Sequence, residues 1–241
     1  DIIKAMNNNE NIVYDACNIS AKRRKEYLKS LKKYKEYIFM CRVFATPYEE
    51  CQRRNIKRKN SIPSKVIKKM YINFEVPFYN EGWDNIQIYQ NYPIKNLTIN
   101  NFFDSIVDYE QDTPYHTFTL DKHLKSCAEE FKNKDKILYY SALLHDCGKP
   151  FTKTFINSKG EKTEIAHYYN HENVSAYNAL FMLINEHISK YDILLICNII
   201  QYHMRLYENM TDKTLDRFKN LIGEQIYNYV TILHEADMKA H

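Results

Sequence analysis

The chain has 241 residues, of which 44% are hydrophobic, and it contains only four glycines and six prolines. This composition excludes a disordered chain and disfavours a loop-rich β protein, so we expect a mainly helical fold with one large or two small domains. The longest apolar run, residues 193–200, is too short to cross a bilayer, and no signal segment opens the chain. The six cysteines form no C-x-x-C pair, which is typical of reduced thiols. We therefore predict a cytoplasmic protein without a membrane partner.

The net charge of +4 conceals an uneven distribution. Residues 20–70 contain 17 lysines and arginines but only four acidic residues, a local balance of +13, whereas the rest of the chain carries −9. A basic block of this kind predicts contacts with a polyanion such as nucleic acid. The alternative is a lysine-rich helix face that is only solvated.

Strands and helices alternate in the first 90 residues. We predict a helix that Ser20 caps and that carries Arg24 on its polar face, followed by helices at 48–60 and 64–74. Runs rich in β-branched and aromatic residues predict strands at 11–17, 37–45 and 85–89. This alternation is typical of βαβ units with a parallel sheet.

The pattern changes after residue 90. Residues 93–115 are polar and contain a proline near each end, so we interpret them as a linker with a short helix near 101–109. Every segment that we assign from residue 119 onward reads as a helix. These predicted helices are 119–133, 135–146, 171–187, 190–207 and 212–240.

One His-Asp pair stands at the end of an apolar helix-like run, ILYYSALLHD. Adjacent His145 and Asp146 offer a nitrogen and an oxygen donor to the same cation, a mixture that suits transition metals or Mg²⁺ better than structural zinc. Alone, the pair could equally be a capped helix end. Further histidines and an aspartate follow the same order along the other predicted helices: His123 before the pair, then His171, His203 and Asp237.

The segments DKHL, LLHDCGK, YNHENVSA, QYHM and EADMKA resemble the HD superfamily of metal-dependent phosphohydrolases. The stretch from residue 112 to residue 172 is similar to the HD domains attached to bacterial tRNA nucleotidyltransferases and related RNA end-processing enzymes. The resemblance implies a helical domain that binds one or two divalent ions (Mn, Ni, Co, Fe or Mg). Such ions activate water and hold the phosphate for in-line attack.

The resemblance also implies roles for individual residues. The implied metal ligands are His123, His145, Asp146 and Asp237. The implied catalytic residues are His171 and His203, which would complete a second metal site or bind the phosphate, and Lys149, which would neutralise phosphoryl charge. His116 precedes the set by seven residues and is either a substrate contact or a surface residue.

Residues 11–89 resemble the C-terminal part of phage-type polynucleotide kinases, through NIVYDACNISAKRRKEYLKSLKKY and VFATPYEECQRRNIKRKNSIPSKVIKKMY. The resemblance implies that Asp15 is the acidic residue after a core strand, although Cys17 stands where threonine is expected. It implies that Arg54 and Arg58 bind ATP phosphates, for which the planar guanidinium is well suited. The alternative is an ordinary basic helix.

The sequence contains no G-x-x-x-x-G-K-[ST] loop, so this half cannot be an active kinase as given. We expect either a fragment of a longer protein or a relic that binds nucleic acid, and ATP binding only if a P-loop precedes Asp1. The predicted fold is therefore mixed: a partial α/β P-loop-kinase-like module at 1–92, a linker at 93–115 and an all-α HD domain at 116–241.

These resemblances predict part of a bifunctional enzyme that repairs nucleic-acid ends. The HD domain would remove a 3′-phosphate or open a 2′,3′-cyclic phosphate, and the partner would be nucleic-acid ends, RNA in the first place. Two alternatives remain: a nucleotidase or phosphodiesterase for mononucleotides or cyclic nucleotides, and a non-catalytic RNA-binding module. The oligomeric state is not indicated by the sequence.

Overall fold

The computed structural model describes residues 2–90 and 97–240. Its N-terminal part combines helices with two strands. In chain order these are α1 (Ile2–Asn7), α2 (Ala21–Leu31), β1 (Met40–Phe44), α3 (Tyr48–Ile56), α4 (Ser64–Ile72) and β2 (Asn85–Tyr89).

The two strands β1 and β2 pair in parallel, with Met40 opposite Asn85 and Phe44 opposite Tyr89. Helices α3 and α4 lie in the crossover between them, as parallel pairing requires. The predicted strands near 37–45 and 85–89 and their parallel arrangement are confirmed. The strand predicted at 11–17 is wrong, because that segment is irregular and its Val13 side chain is 91% exposed, so its apolar residues have no core to enter.

Helix α2 forms where it was predicted, but its polar contacts differ from the prediction. The Ser20 side chain makes no capping bond, and the Ala21 amide donates instead to the Glu75 carboxylate at 2.5 Å. Arg24 is buried rather than solvated, and its guanidinium donates to both carboxylate oxygens of Glu81 at 2.7 and 2.8 Å. A buried pair of this kind is costly to break, so Arg24 fixes α2 to the chain before β2.

The C-terminal part consists mainly of helices. They are α5 (Ile99–Ser105), α6 (Leu120–Glu129), α7 (Lys136–Leu144), α8 (Lys149–Thr152), α9 (His171–Ile184), α10 (Lys190–Tyr202), α11 (Asp212–Ile222) and α12 (Glu224–Lys239). A short 3₁₀ segment, His203–Tyr207, follows α10.

Two features depart from the predicted all-α arrangement. An antiparallel hairpin of β3 (Thr154–Ile156) and β4 (Lys162–His167) is inserted between α8 and α9. The helix predicted at 212–240 is divided at Gly223, whose φ of 84° is readily adopted only by glycine. In the predicted linker, residues 93–96 lie outside the described residues, and the short helix predicted near 101–109 is found as α5.

One hydrophobic cluster joins both parts of the chain. Helices α9 and α10 pack together at its centre, and Val43 and Ile86 of the parallel strands belong to the same cluster. Tyr177 of α9 donates its hydroxyl to the Thr46 carbonyl at 2.8 Å, just after β1. The N-terminal part therefore rests directly on α9. None of the helices within residues 2–90 and 97–240 has the length and apolar character needed to cross a membrane.

Candidate metal centre

Histidine and aspartate side chains converge where several helices begin or end. His123 lies on α6, His145 and Asp146 follow α7, and His171 is the first residue of α9. His203 follows α10, and Asp237 lies on α12. All six side chains are buried. Helix packing therefore brings together residues that are up to 114 positions apart in the sequence.

Asp146 stands at the centre of this cluster. Its Oδ2 atom lies 3.5 Å from Nε2 of both His123 and His145. Its Oδ1 atom lies 3.0 Å from Nε2 of His171 and 3.6 Å from Nε2 of His203. The side chains thus form two groups with potential ligand atoms within 4.8 Å of one another, and Asp146 belongs to both.

Asp237 completes the first group from the opposite side. Its Oδ1 atom lies 3.1 Å from Nε2 of His123 and 3.3 Å from Nε2 of His145. Its Oδ2 atom accepts a 2.7 Å hydrogen bond from the Tyr207 hydroxyl. Tyr207 therefore leaves one oxygen of Asp237 directed at the two histidines.

Backbone carbonyls fix the ring orientation of all four histidines. The Nδ1–H groups of His123 and His145 donate to the carbonyls of Ala240 and Ala142, each at 2.8 Å. The carbonyls of Tyr168 and Ile200 accept from His171 and His203 at 2.8 and 2.6 Å. When these rings are neutral, each Nε2 lone pair faces the cluster, as in histidines that ligate metals.

The electrostatics of the cluster favour a positive charge at its centre. Burial alone would raise the pKa of the Asp146 carboxyl, but the Lys149 ammonium and the imidazoles hold it well below its usual range. The pKa of Asp237 is likewise lowered, because the nearby His145 and His123 outweigh burial. Burial opposes protonation of His123, yet its bonds to Asp146 and Asp237 raise its pKa to about 9. Both carboxylates are therefore ionised at neutral pH.

Lys149, the first residue of α8, lies beside the cluster and is also buried. Its Nζ atom is 2.6 Å from Asp146 Oδ2 and 2.7 Å from the Gln111 side-chain oxygen. The half-buried His116 places Nε2 at 3.1 Å from the same ammonium, and its ring centroid is 5.1 Å from that of His123. His116 therefore lies at the edge of the site rather than on a remote surface.

The donor set fits a divalent metal. Among the described residues, four buried atoms that face the cluster have no hydrogen-bond partner: Oδ1 of Asp146, Oδ1 of Asp237, and Nε2 of His171 and His203. Leaving such atoms unpaired is costly, and a cation would satisfy all of them. Mixed imidazole and carboxylate ligands suit Mn, Fe, Co, Ni or Zn, and Mg is compatible with the carboxylates.

The residues predicted to bind ATP phosphates occupy different surroundings. Asp15 lies in the exposed irregular segment before α2. Arg54 on α3 pairs with the Glu50 carboxylate at 2.6 Å, and Arg58 is exposed just beyond α3. No contact joins these three side chains to one another among the described residues.

Two residues at the site were not predicted from the sequence. Gln111 lies in the segment interpreted as linker, and Tyr207 lies at the end of a predicted helix. A polar residue that the fold buries gives little signal in one sequence, because the same residue type is common on surfaces. Their roles become visible only through their contacts with Lys149 and Asp237.

We expect Tyr207→Phe to weaken divalent metal binding by about 10- to 100-fold, as is typical when a group that orients a metal ligand is removed. The substitution removes only the hydroxyl that holds Asp237. Titration of the metal-free protein with Mn²⁺ or Co²⁺ measures the change. Tyr191→Phe is the matched control, since Tyr191 donates a 2.8 Å bond to Gln225 outside the cluster. Equal affinities of the two variants would contradict a role of Tyr207 in orienting Asp237.

Comparison with known families agrees with this geometry. A family model described as the HD domain matches residues 114–239, just over half of the chain, and this range contains every member of the cluster. Searches of curated proteins and of solved structures give no match. The chain therefore belongs to the HD-domain family, a family of metal-dependent phosphohydrolases.

Proposed function

We propose that the HD domain hydrolyses phosphoesters at nucleic-acid ends, by removing a 3′-phosphate or opening a 2′,3′-cyclic phosphate, with RNA as the preferred substrate. The observation that carries the phosphoester chemistry is the pair of donor groups that share Asp146. The basic block at residues 20–70 supports a polyanionic substrate.

In this proposal His123, His145, Asp146 and Asp237 hold one divalent ion. Asp146 also extends to His171 and His203, which hold a second ion or contact the phosphate directly. A bound divalent ion supplies an activated water and neutralises charge on the phosphoryl oxygens. The carbonyl contacts of the four rings keep their Nε2 atoms directed at this place before any substrate binds, so little reorganisation is needed.

Lys149 and His116 complete the proposed site on the substrate side. The Lys149 ammonium contributes positive charge where phosphoryl oxygens become more negative, and Gln111 keeps it in place. During hydrolysis a bond forms between the water oxygen and phosphorus, and the bond from phosphorus to the ribose oxygen breaks. One proton of the water is finally carried by the released ribose oxygen. We propose that His116 contacts the substrate near this oxygen.

We also propose that residues 1–92 are the C-terminal part of a domain similar to polynucleotide kinases. The parallel β1–β2 pair with its helical crossover supports this assignment. Its phosphate contacts would be Asp15, Arg54 and Arg58, and ATP would bind only with a P-loop from preceding sequence. Arg54 would need to exchange its present partner Glu50, whose pKa is lowered to about 2 by hydrogen bonds from Arg53 and, to a smaller extent, from Arg54.

The function is tested with two substrates that carry the same chemical group. One is an RNA of about 12 nucleotides that ends in a 2′,3′-cyclic phosphate, a length within the range of single-stranded binding sites. The other is a 2′,3′-cyclic mononucleotide. We expect hydrolysis of both with Mn²⁺, Ni²⁺, Co²⁺ or Mg²⁺. Hydrolysis of subsaturating RNA should fall about 10-fold or more between about 50 and 200 mM salt, whereas that of the mononucleotide should change little.

Other outcomes would contradict parts of this proposal. The same weak salt dependence for both substrates would favour a mononucleotide hydrolase. No hydrolysis of either substrate, with metal shown to be bound, would contradict hydrolysis at these ends. RNA binding without metal and without hydrolysis would favour a non-catalytic module.

A further inference from the structure

Helix α4 presents an uncompensated positive surface. Its sequence SKVIKKMYI contains Lys65, Lys68 and Lys69 and no acidic residue, and all three lysines are exposed. Among the described residues, none of the three forms an ion pair. Other cations of the same basic block do have acidic partners: Arg24 with Glu81, Lys32 with Asp84, and Arg53 and Arg54 with Glu50. The structure therefore concentrates available positive charge on α4.

The carboxyl end of α4 lies next to the metal centre. Tyr71 donates its hydroxyl to the side-chain oxygen of Asn178 on α9 at 2.8 Å. Asn73, which follows α4, accepts a 3.3 Å bond from the Asn170 side chain. The next residue is His171, whose Nε2 atom is 3.0 Å from Asp146. A polyanion that lies along α4 therefore needs only a short further step to reach the cluster.

An exposed aromatic ring stands on the same approach. Tyr169 immediately precedes Asn170, and 45% of its surface is exposed. One face of its ring stacks on His167, with centroids 5.5 Å apart and planes inclined by 8°. Tyr169 also borders a shallow depression with Thr154 and Ile156 of the hairpin. A supported ring with an open face is a suitable platform for an unpaired nucleobase.

We propose that α4 and Tyr169 together form the surface that binds the single-stranded segment preceding the reactive end of a polynucleotide. We call this surface, Lys65, Lys68, Lys69 and Tyr169, the strand-binding surface. The lysines contact backbone phosphates, and Tyr169 stacks on a base near the terminal phosphate at the metal centre. This proposal rests on the proposed function for the identity of the reactive end. It specifies a single strand, because stacking on Tyr169 requires a base that is not paired.

The lysine contribution is tested with Lys65→Ala/Lys68→Ala/Lys69→Ala. The matched control is Lys29→Ala/Lys33→Ala/Lys35→Ala, which removes the same charge from exposed positions of the same block, on and just after α2. Binding of a fluorescent single-stranded RNA to the metal-free protein is measured against salt. The α4 variant should lose about 2 units of the logarithmic salt slope, since each phosphate contact contributes about 0.7 for a single strand. The α2 variant should retain the slope of the original protein.

The aromatic contribution is tested with Tyr169→Ala, which should weaken binding of the single strand about 5-fold or more. Tyr115→Ala is the matched control, since Tyr115 is also exposed but lies outside the strand-binding surface. Hydrolysis of the 2′,3′-cyclic mononucleotide should be unchanged in the α4 variant. Equal salt slopes for the α4 and α2 variants, or tighter binding of a blunt duplex than of a single strand, would overturn the proposal. Failure of the proposed function would instead appear as no hydrolysis by the original protein while the binding differences persist.

Discussion

Asp146→Asn is expected to lower metal-dependent phosphoester hydrolysis by more than about 100-fold, the upper end of the loss seen when only a supporting group of a metal ligand is removed. The expected loss is larger than for Tyr207→Phe because Asp146 faces all four histidines directly. Asparagine has nearly the same shape, but it carries no charge, and one of its two terminal atoms donates rather than accepts. One of the two donor groups therefore meets an amide NH₂ where it had an anionic oxygen.

The readouts for Asp146→Asn are bound metal per protein and hydrolysis of a small activated phosphodiester with Mn²⁺. The small substrate separates the chemistry from RNA binding. Asp216→Asn is the control, since it makes the same chemical change at an exposed position of α11. We expect normal metal content and activity in the control, and loss of both in Asp146→Asn. Full metal content together with full activity in Asp146→Asn would contradict the assignment of Asp146 as the shared ligand.

The cluster could be anticipated from the sequence because its members have distinctive types and a fixed order. Histidine next to aspartate at the end of an apolar helix indicates a buried polar pair, and buried polar pairs need partners. His123, His171, His203 and Asp237 supply them from other helices, and the structure brings them together around Asp146. Their order along the chain does not reveal which oxygen of Asp146 faces which histidines. That assignment depends on how α6, α9 and α10 are oriented, which is a property of tertiary packing.

The differences in the N-terminal part have an identifiable cause. The segment 11–17 is rich in residues that favour strands, but strand propensity reflects packing on a sheet more than an intrinsic backbone preference. With no partner strand, this segment is irregular. Arg24 was assigned to a polar face because charged residues are usually exposed. Its partner Glu81 lies 57 positions away, so no local pattern could indicate that the pair would be buried.

The hairpin between α8 and α9 was missed although its turn has a local signature. Asn157 accepts from the amides of Lys159 and Glu161 through its side chain, and Gly160 adopts a φ of 84°. Asparagine followed by glycine within a few residues is a typical turn pattern. The hairpin matters for function because β4 leads directly to Tyr169 and His171.

Gly148→Ala is expected to destabilise the protein by about 3 kcal/mol or more, the upper range for forcing a larger side chain into a packed site. The backbone of Gly148 has an ordinary helical conformation, so the requirement for glycine comes from space alone. An added Cβ atom would lie 2.3 Å from the carbonyl oxygen of His171 and 2.6 Å from the amide nitrogen of Ser175. Backbone atoms cannot rotate away as a side chain can. The turn after Asp146 and the first turn of α9 would have to separate.

Denaturant unfolding measures this loss, and two further variants show whether its cause is the backbone contact. Gly160→Ala places a methyl group where nothing lies within 4 Å, so only its left-handed φ opposes the change, at about 1–2 kcal/mol. Ser175→Ala combined with Gly148→Ala removes the hydroxyl but leaves the backbone atoms in place, and we expect no recovery of stability. Recovery in this double variant would show that the hydroxyl was the obstacle. Because Asp146 and His171 lie on the two segments that must separate, metal binding should weaken together with stability, and a destabilised variant that retains full metal affinity would show that these segments move without disturbing the ligands.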